Sequence, residues 1–126
     1  MFDRLSVYSP QALAVLRIIS ALLFIEHGTQ KLFNFPAMQG GTPPLMSLFG
    51  AAGLIELIAG LMILVGFFTR PAAFIASGTM AVAYFMVHGA TGFFPANNFG
   101  DAAILFCFIF LYFVFSGPGA WSVNQK

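Results

Sequence analysis

Apolar positions along the chain gather into long blocks, not short alternating runs. Residues 10–33, 45–68, 71–88 and 101–116 are each almost continuously apolar, and clusters of helix breakers or polar residues stand between them. A hydrocarbon core of about 30 Å needs about 20 apolar residues per helix, so the blocks predict four membrane-crossing helices. Ser9 followed by Pro10 predicts an N-cap and a first-turn proline for the first helix. Gly40-Gly41-Thr42-Pro43-Pro44 separates the first block from the second, and Ser116-Gly117-Pro118-Gly119 ends the fourth. Residues 90–98 read as a polar and aromatic loop. No block shows the two-residue alternation of a transmembrane β-strand. The expected fold is all-α, a four-helix transmembrane bundle forming one domain over residues 1–126.

Composition narrows the class further. Of 126 residues, 60% are hydrophobic and 7% charged, against about 25% charged in an ordinary soluble domain. Mean hydropathy is +0.91. So few charges cannot cover a globular surface, which excludes a free soluble domain. A net charge of +1 excludes a phosphate-binding face, so no nucleic-acid partner is expected. The single cysteine, Cys107, excludes a disulfide framework, a C-x-x-C redox pair and a cysteine-rich zinc site. The first block is not read as a cleaved signal peptide, because Arg17 and Glu26 interrupt it and it lacks a small-x-small cleavage site. With four crossings, Arg4, Arg70 and Lys126 share one side and Lys31 lies on the other. The positive-inside rule then places both termini in the cytoplasm.

Ionisable residues inside the apolar blocks carry the candidate chemistry, since each is expensive in a bilayer and asks for a partner or a purpose. Glu56 sits mid-helix among Ala52, Gly53 and Gly60, on a small-residue face suited to close helix packing. The first block ends in a polar turn of Glu26, His27, Thr29, Gln30 and Lys31. There Lys31 is expected as an interfacial anchor with its amine among headgroups. Arg17 points away from Glu26 on an ideal helix and is expected to snorkel or to reach Glu56. Tyr84 and His88 share a face at i,i+4. Asp101, following Asn97 and Asn98, is expected to complement the helix dipole and cap free N–H groups. Up-and-down topology would collect these residues in the outer half of the bundle with Glu56 at the floor, the outline of a small-molecule pocket. The candidate catalytic residues are Glu56, Glu26 and His88; the candidate ligand-contacting residues are His27, Tyr84, Asn98, Asp101 and Arg17; no metal site is expected.

These landmarks resemble a known family. His27-Gly28-Thr29-Gln30-Lys31-Leu32-Phe33 is similar to the end of the first helix in the DoxX family of small bacterial membrane proteins. Glu56-Leu57-Ile58-Ala59-Gly60 and Gly66-Phe67-Phe68-Thr69-Arg70-Pro71 resemble its second helix and following turn. His88, Asn98-Phe99-Gly100-Asp101 and Gly117-Pro118-Gly119 followed by Ser122 match later landmarks in order. Asp101 stands where the family more often has Glu, and Asn124 where an acidic residue is common. The resemblance implies a multi-pass protein of the bacterial inner membrane linked to redox metabolism, since some relatives are subunits of thiosulfate–quinone oxidoreductases. On that reading a non-covalent quinone is the cofactor, held by His27 or His88 with Tyr84, while Glu56 or Glu26 relays a proton. No flavin or dinucleotide fingerprint is present, so electrons would come from a partner redox subunit. The alternatives are a proton-coupled transporter centred on Glu56 or Glu26, a structural subunit or homo-oligomer, and a haem held by His27 and His88.

Overall fold

The structure is a computed structural model that describes residues 1–126. It is all-helical, with no strand. Helix α1, Ser9–Phe33, continues without a break from a 3-10 segment, Phe2–Tyr8. Ser9 has helical dihedrals (φ −53°, ψ −41°) and is not the expected N-cap. A capping side chain needs extended backbone at its own residue, and the preceding 3-10 turns remove that geometry. Pro10 does sit in the first turn, and Asn34 closes α1 in the left-handed conformation (φ 56°).

Helix α2, Leu48–Val65, is shorter at both ends than the apolar block predicts. It starts at Ser47, whose hydroxyl accepts from the Gly50 N–H at 3.2 Å. It stops at Gly66, left-handed at φ 73°, where the Gly66 and Phe67 N–H groups return to the Ile63 and Met62 carbonyls. Helix α3, Thr69–Ala83, runs on through a π-helical turn, Tyr84–His88, and a 3-10 turn, Gly89–Thr91. The stretch expected as loop at residues 90–98 therefore contains the end of that rod and a one-turn helix α4, Pro95–Asn98. Proline at its start, with a fixed φ suited to the first helical turn, accounts for α4. Helix α5 is Asp101–Ser116.

Three helical rods, Phe2–Phe33, Leu48–Val65 and Thr69–Thr91, are long and apolar enough to cross a membrane. At 16 residues α5 is apolar but shorter, about 24 Å at 1.5 Å per residue. Helix α1 packs along α2, α3 along α5, and α2 on α3 joins the two pairs. The α1–α2 backbones touch: a Cβ on Gly28 would lie 2.9 Å from the Gly53 carbonyl oxygen, and one on Gly60 2.6 Å from Ile25. In the core, small Ala72, Ala73 and Ala76 of α3 make room for Phe106, Phe110 and Phe113 of α5. Phe24 from α1 meets Phe110 edge-on at 4.8 Å between centroids, closing the core. Large apolar side chains such as Leu16, Ile58, Phe74 and Phe108 cover the outside, as a lipid-facing surface requires.

The start of α1, the end of α2, the start of α3 and the end of α5 meet at one end of the molecule, which the C-terminal segment crosses. Its Ala120 N–H donates to the Pro10 carbonyl, Val123 N–H to Val65, and Asn124 N–H to Gly66. The opposite end carries Phe33, Leu48, His88 and Asp101, and there most of the candidate residues lie.

Candidate functional site

Two polar groups organise that opposite end, and they are separate. The first joins α1 to α2. Lys31 Nζ donates to both carboxylate oxygens of Glu56, at 2.8 and 2.9 Å, forming the one ion pair in the chain. Glu56 is 2% exposed and Lys31 16%, so this is an interior pair and not the headgroup anchor that Lys31 alone suggests. The local cause is the small-residue crossing: with Gly53 against the Lys31 Cβ, the lysine stem lies on α2 and its amine meets Glu56 one turn away.

The second group joins the end of α3 to the α4 turn, and Asn98 is its hub. Buried Asn98 donates through Nδ2 to the Tyr84 hydroxyl oxygen at 3.2 Å and to the Gly92 carbonyl at 3.0 Å. Its Oδ1 accepts from the Gly100 N–H at 2.8 Å, and its own carbonyl faces His88 Nδ1 at 3.0 Å. A carbonyl can only accept, so in the neutral ring Nδ1 carries the proton and Nε2 is left as an acceptor. The Tyr84 oxygen accepts from Asn98, so its own O–H remains available to donate. Gly100 is required here, because a Cβ would lie 2.5 Å from the Tyr84 ring. Beside Tyr84 opens a cleft of about 440 Å3, lined also by Phe85, Gly89, Ala90, Gly92, Phe93 and Pro95.

The remaining candidates are placed elsewhere. His27 packs edge-on against Phe106 of α5, with centroids 6.0 Å apart. Asp101 is exposed in the first turn of α5 and makes no cap bond; Asn98, not Asp101, receives the N–H at that helix start. Asp101 still adds negative charge where the helix dipole favours it. Glu26 is exposed, on the face of α1 opposite the buried Ala14, Arg17, Ala21, Phe24 and Gly28. Arg17 is fully buried at the terminal end, far from the two polar groups, and does not reach Glu56. Its guanidinium donates to the Pro118 carbonyl, to Ala120 at 2.9 Å and to Trp121 at 2.8 Å. Arg70 similarly holds the Val114 and Phe115 carbonyls at the end of α5. Asn124 Oδ1 accepts from the Phe68 N–H at 3.1 Å, so that position uses an acceptor and no charge. No trio of His, Cys, Asp or Glu side chains converges anywhere in the chain.

Sequence reasoning did not find Lys31 as the partner of Glu56, nor Asn98 as a hub. For Lys31 a signal existed: it lies three residues after Gly28 on the stripe that carries Phe24, Ala21 and Arg17, so a face assignment would have turned it inward.

The DoxX family model matches residues 12–89, more than half of the chain. A protein of Haemophilus influenzae is 45% identical over 98% of this chain and 96% of its own length. Inner membrane protein YphA of Escherichia coli is 32% identical over 93% of this chain and 91% of its own. Inner membrane protein YqjF of the same organism is 29% identical over 88% of each. No solved structure matches.

Proposed function

The chain belongs to the DoxX family, and we propose that it is a four-span subunit holding a quinone-class ring in the cleft beside Tyr84. It is a multi-pass protein of the inner membrane. Four spans follow if α5 crosses with its shorter length, supported by its packing along α3. Both termini then lie in the cytoplasm: Arg4, Arg70 and Lys126 stand at that end, and Lys31, the one cation opposite, is neutralised by Glu56.

The observation that carries the reading is the aromatic cleft with a prepared donor at its wall. A planar ring needs apolar walls, which Phe85 and Phe93 would provide, and a donor for its carbonyl, for which the Tyr84 O–H is free. A bound quinone would supply two-electron, two-proton chemistry, with electrons delivered by a partner redox subunit. Tyr84 would orient the ring, and His88 Nε2, on the neighbouring turn, would hold or release a proton. Mass spectrometry of lipid co-purified with the detergent-solubilised protein tests this. Near-stoichiometric quinone is expected in the wild type, falling about tenfold in Tyr84→Phe through loss of one hydrogen bond. Wild-type protein without quinone would overturn the reading.

The buried Lys31–Glu56 pair favours a second reading, in which the chain is chiefly an assembly subunit and the pair locks two spans together. Proton-coupled transport would instead require Glu56 to exchange its lysine for a proton. Proton-driven uptake of a lipophilic cation into vesicles, abolished by Glu56→Gln, would mark transport.

A further inference from the structure

We infer that residues 92–99 lie in the membrane leaflet at the cleft end of the molecule, so that the cleft beside Tyr84 opens to lipid and not to water. This placement rests on the four-span reading and needs no quinone. Two packed helices of unequal length set the depth. Arg70, in the first turn of α3, donates to the Val114 and Phe115 carbonyls, so α3 and α5 share a level at the terminal end. From there the rod Thr69–Thr91, 23 residues, rises about 35 Å, whereas the 16 residues of α5 rise about 24 Å. Gly100 lies against the Tyr84 ring, where a Cβ would come within 2.5 Å, so α5 begins level with Tyr84. That level is about two turns, or 10 Å, below the tip of the rod, and residues 92–99 descend beside those turns. A core of about 30 Å does not end below the start of α5 unless the bilayer thins to meet it. In either case the descending segment stands among headgroups and the acyl carbons next to them.

The segment is suited to that place. No Asp, Glu, Lys or Arg occurs between Arg70 and Asp101. Phe93, Phe94 and Phe99 are 84%, 63% and 86% exposed, an apolar rim that is costly in water. The irregular backbone is satisfied from within, as non-helical chain at membrane depth requires. The Asn97 and Asn98 N–H groups donate to the Phe94 carbonyl at 2.9 and 3.0 Å. The Asn98 side chain takes the Gly92 carbonyl and the Gly100 N–H, and His88 Nδ1 donates to the Asn98 carbonyl. The Thr91 hydroxyl donates to the His88 carbonyl at 2.8 Å. Buried Asn98 thus lets the chain turn back without calling on water. Lipid is the occupant that fits, because the rim is continuous with the lipid-facing surface of the span. Phe85 and Met86, exposed on the π-helical turn, make that connection, and Phe85 also lines the cleft. A ligand then reaches Tyr84 sideways from the bilayer, which selects molecules dissolved in membrane over water-borne ones.

Tryptophan quenching in reconstituted vesicles tests the placement, with Trp121→Phe as background so that each variant carries a single tryptophan. Phe108→Trp, exposed midway along α5, is expected to lose emission in phospholipid brominated near the middle of its acyl chains. Phe94→Trp and Phe99→Trp are expected to lose emission in phospholipid brominated near the headgroup end of its chains. Both should lose far less than Gln39→Trp when iodide is added to the water. Gln39, exposed between α1 and α2, is the aqueous reference. A tryptophan at 94 or 99 that iodide quenches as strongly as one at 39, or that neither agent quenches, would overturn the placement while Phe108→Trp still reports lipid. No lipid quenching at 108 would instead overturn the four-span reading, and the placement with it.

Discussion

Lys31 and Glu56 illustrate how a charge is tolerated between two spans. Taking either into hydrocarbon alone costs several kcal/mol, and their mutual attraction repays this only with good geometry. Here the ammonium spans both carboxylate oxygens at 2.8 and 2.9 Å, so each charge has its counter-charge. The arrangement is asymmetric in consequence. Removing one partner strands the other, at a cost of about 3–5 kcal/mol, whereas replacing both with apolar side chains of similar volume is often neutral or stabilising. Lys31→Met is therefore expected to lower the thermal midpoint of the detergent-solubilised protein sharply, and Lys31→Met with Glu56→Leu to restore it. A double variant as unstable as the single one would show that the pair contributes more than mutual neutralisation. A double variant that is stable yet inactive would give Glu56 a chemical role beyond locking the helices.

Between α1 and α2 the contact is close because glycines lie on both sides of the crossing. A side chain on Gly28 has nowhere to go, since even a Cβ would lie 2.9 Å from both the Gly53 carbonyl oxygen and the Leu57 nitrogen. Backbone cannot yield as a flexible side chain can. Gly28→Val is expected to force the helices apart, with destabilisation of at least the 1–3 kcal/mol typical of overpacking, read as a lower thermal midpoint. Gly78, with open space around its Cβ position, is the control: Gly78→Ala should leave the midpoint unchanged or raise it. The helical elements themselves were legible in the sequence because apolar content fixes where a chain is buried in lipid, and each long helix falls within about three residues of its block at the ends where it differs. What hydropathy misses is local. Apolar Phe67 and Phe68 extend the second block past Gly66, yet a left-handed glycine ends the helix there. Direction around a helix was legible only where a stripe marked it. Glu26 and Lys31 belong to the same polar turn, but one faces out and the other, on the stripe of Gly28, Phe24 and Arg17, meets Glu56, where the packing of Gly28 on Gly53 brings the two helices close. Asn98 could not be foreseen as a hub, because its partners depend on a helical turn at Pro95–Asn98 that polar composition disguised as loop.

At the scale of the whole molecule, the polar groups divide the ends between two tasks. The far end carries the cleft and the ion pair, while the terminal end is closed by a C-terminal strap that ties α1, α2 and α3 together. The strap lies where the chain has stopped making regular helix, so its carbonyls have no helical partners and must be satisfied otherwise. Arg17 supplies that satisfaction from α1, with one guanidinium donating to the Pro118, Ala120 and Trp121 carbonyls. Arg70 does the same for Val114 and Phe115 from α3. This explains why a fully buried cation persists in α1 without a carboxylate beside it: carbonyl dipoles and the fork geometry of arginine replace one. Arg17→Met should leave several acceptors unpaired, each costing about 1–3 kcal/mol where it stays buried. The strap is then expected to detach, seen as faster protease cleavage after Trp121 in the detergent-solubilised protein than in the wild type. Arg17→Lys should rescue only in part, because an ammonium lacks the planar fork that addresses three carbonyls from one side. A protected C-terminus in Arg17→Met would mean that the backbone bonds to Pro10, Val65 and Gly66 hold the strap without help.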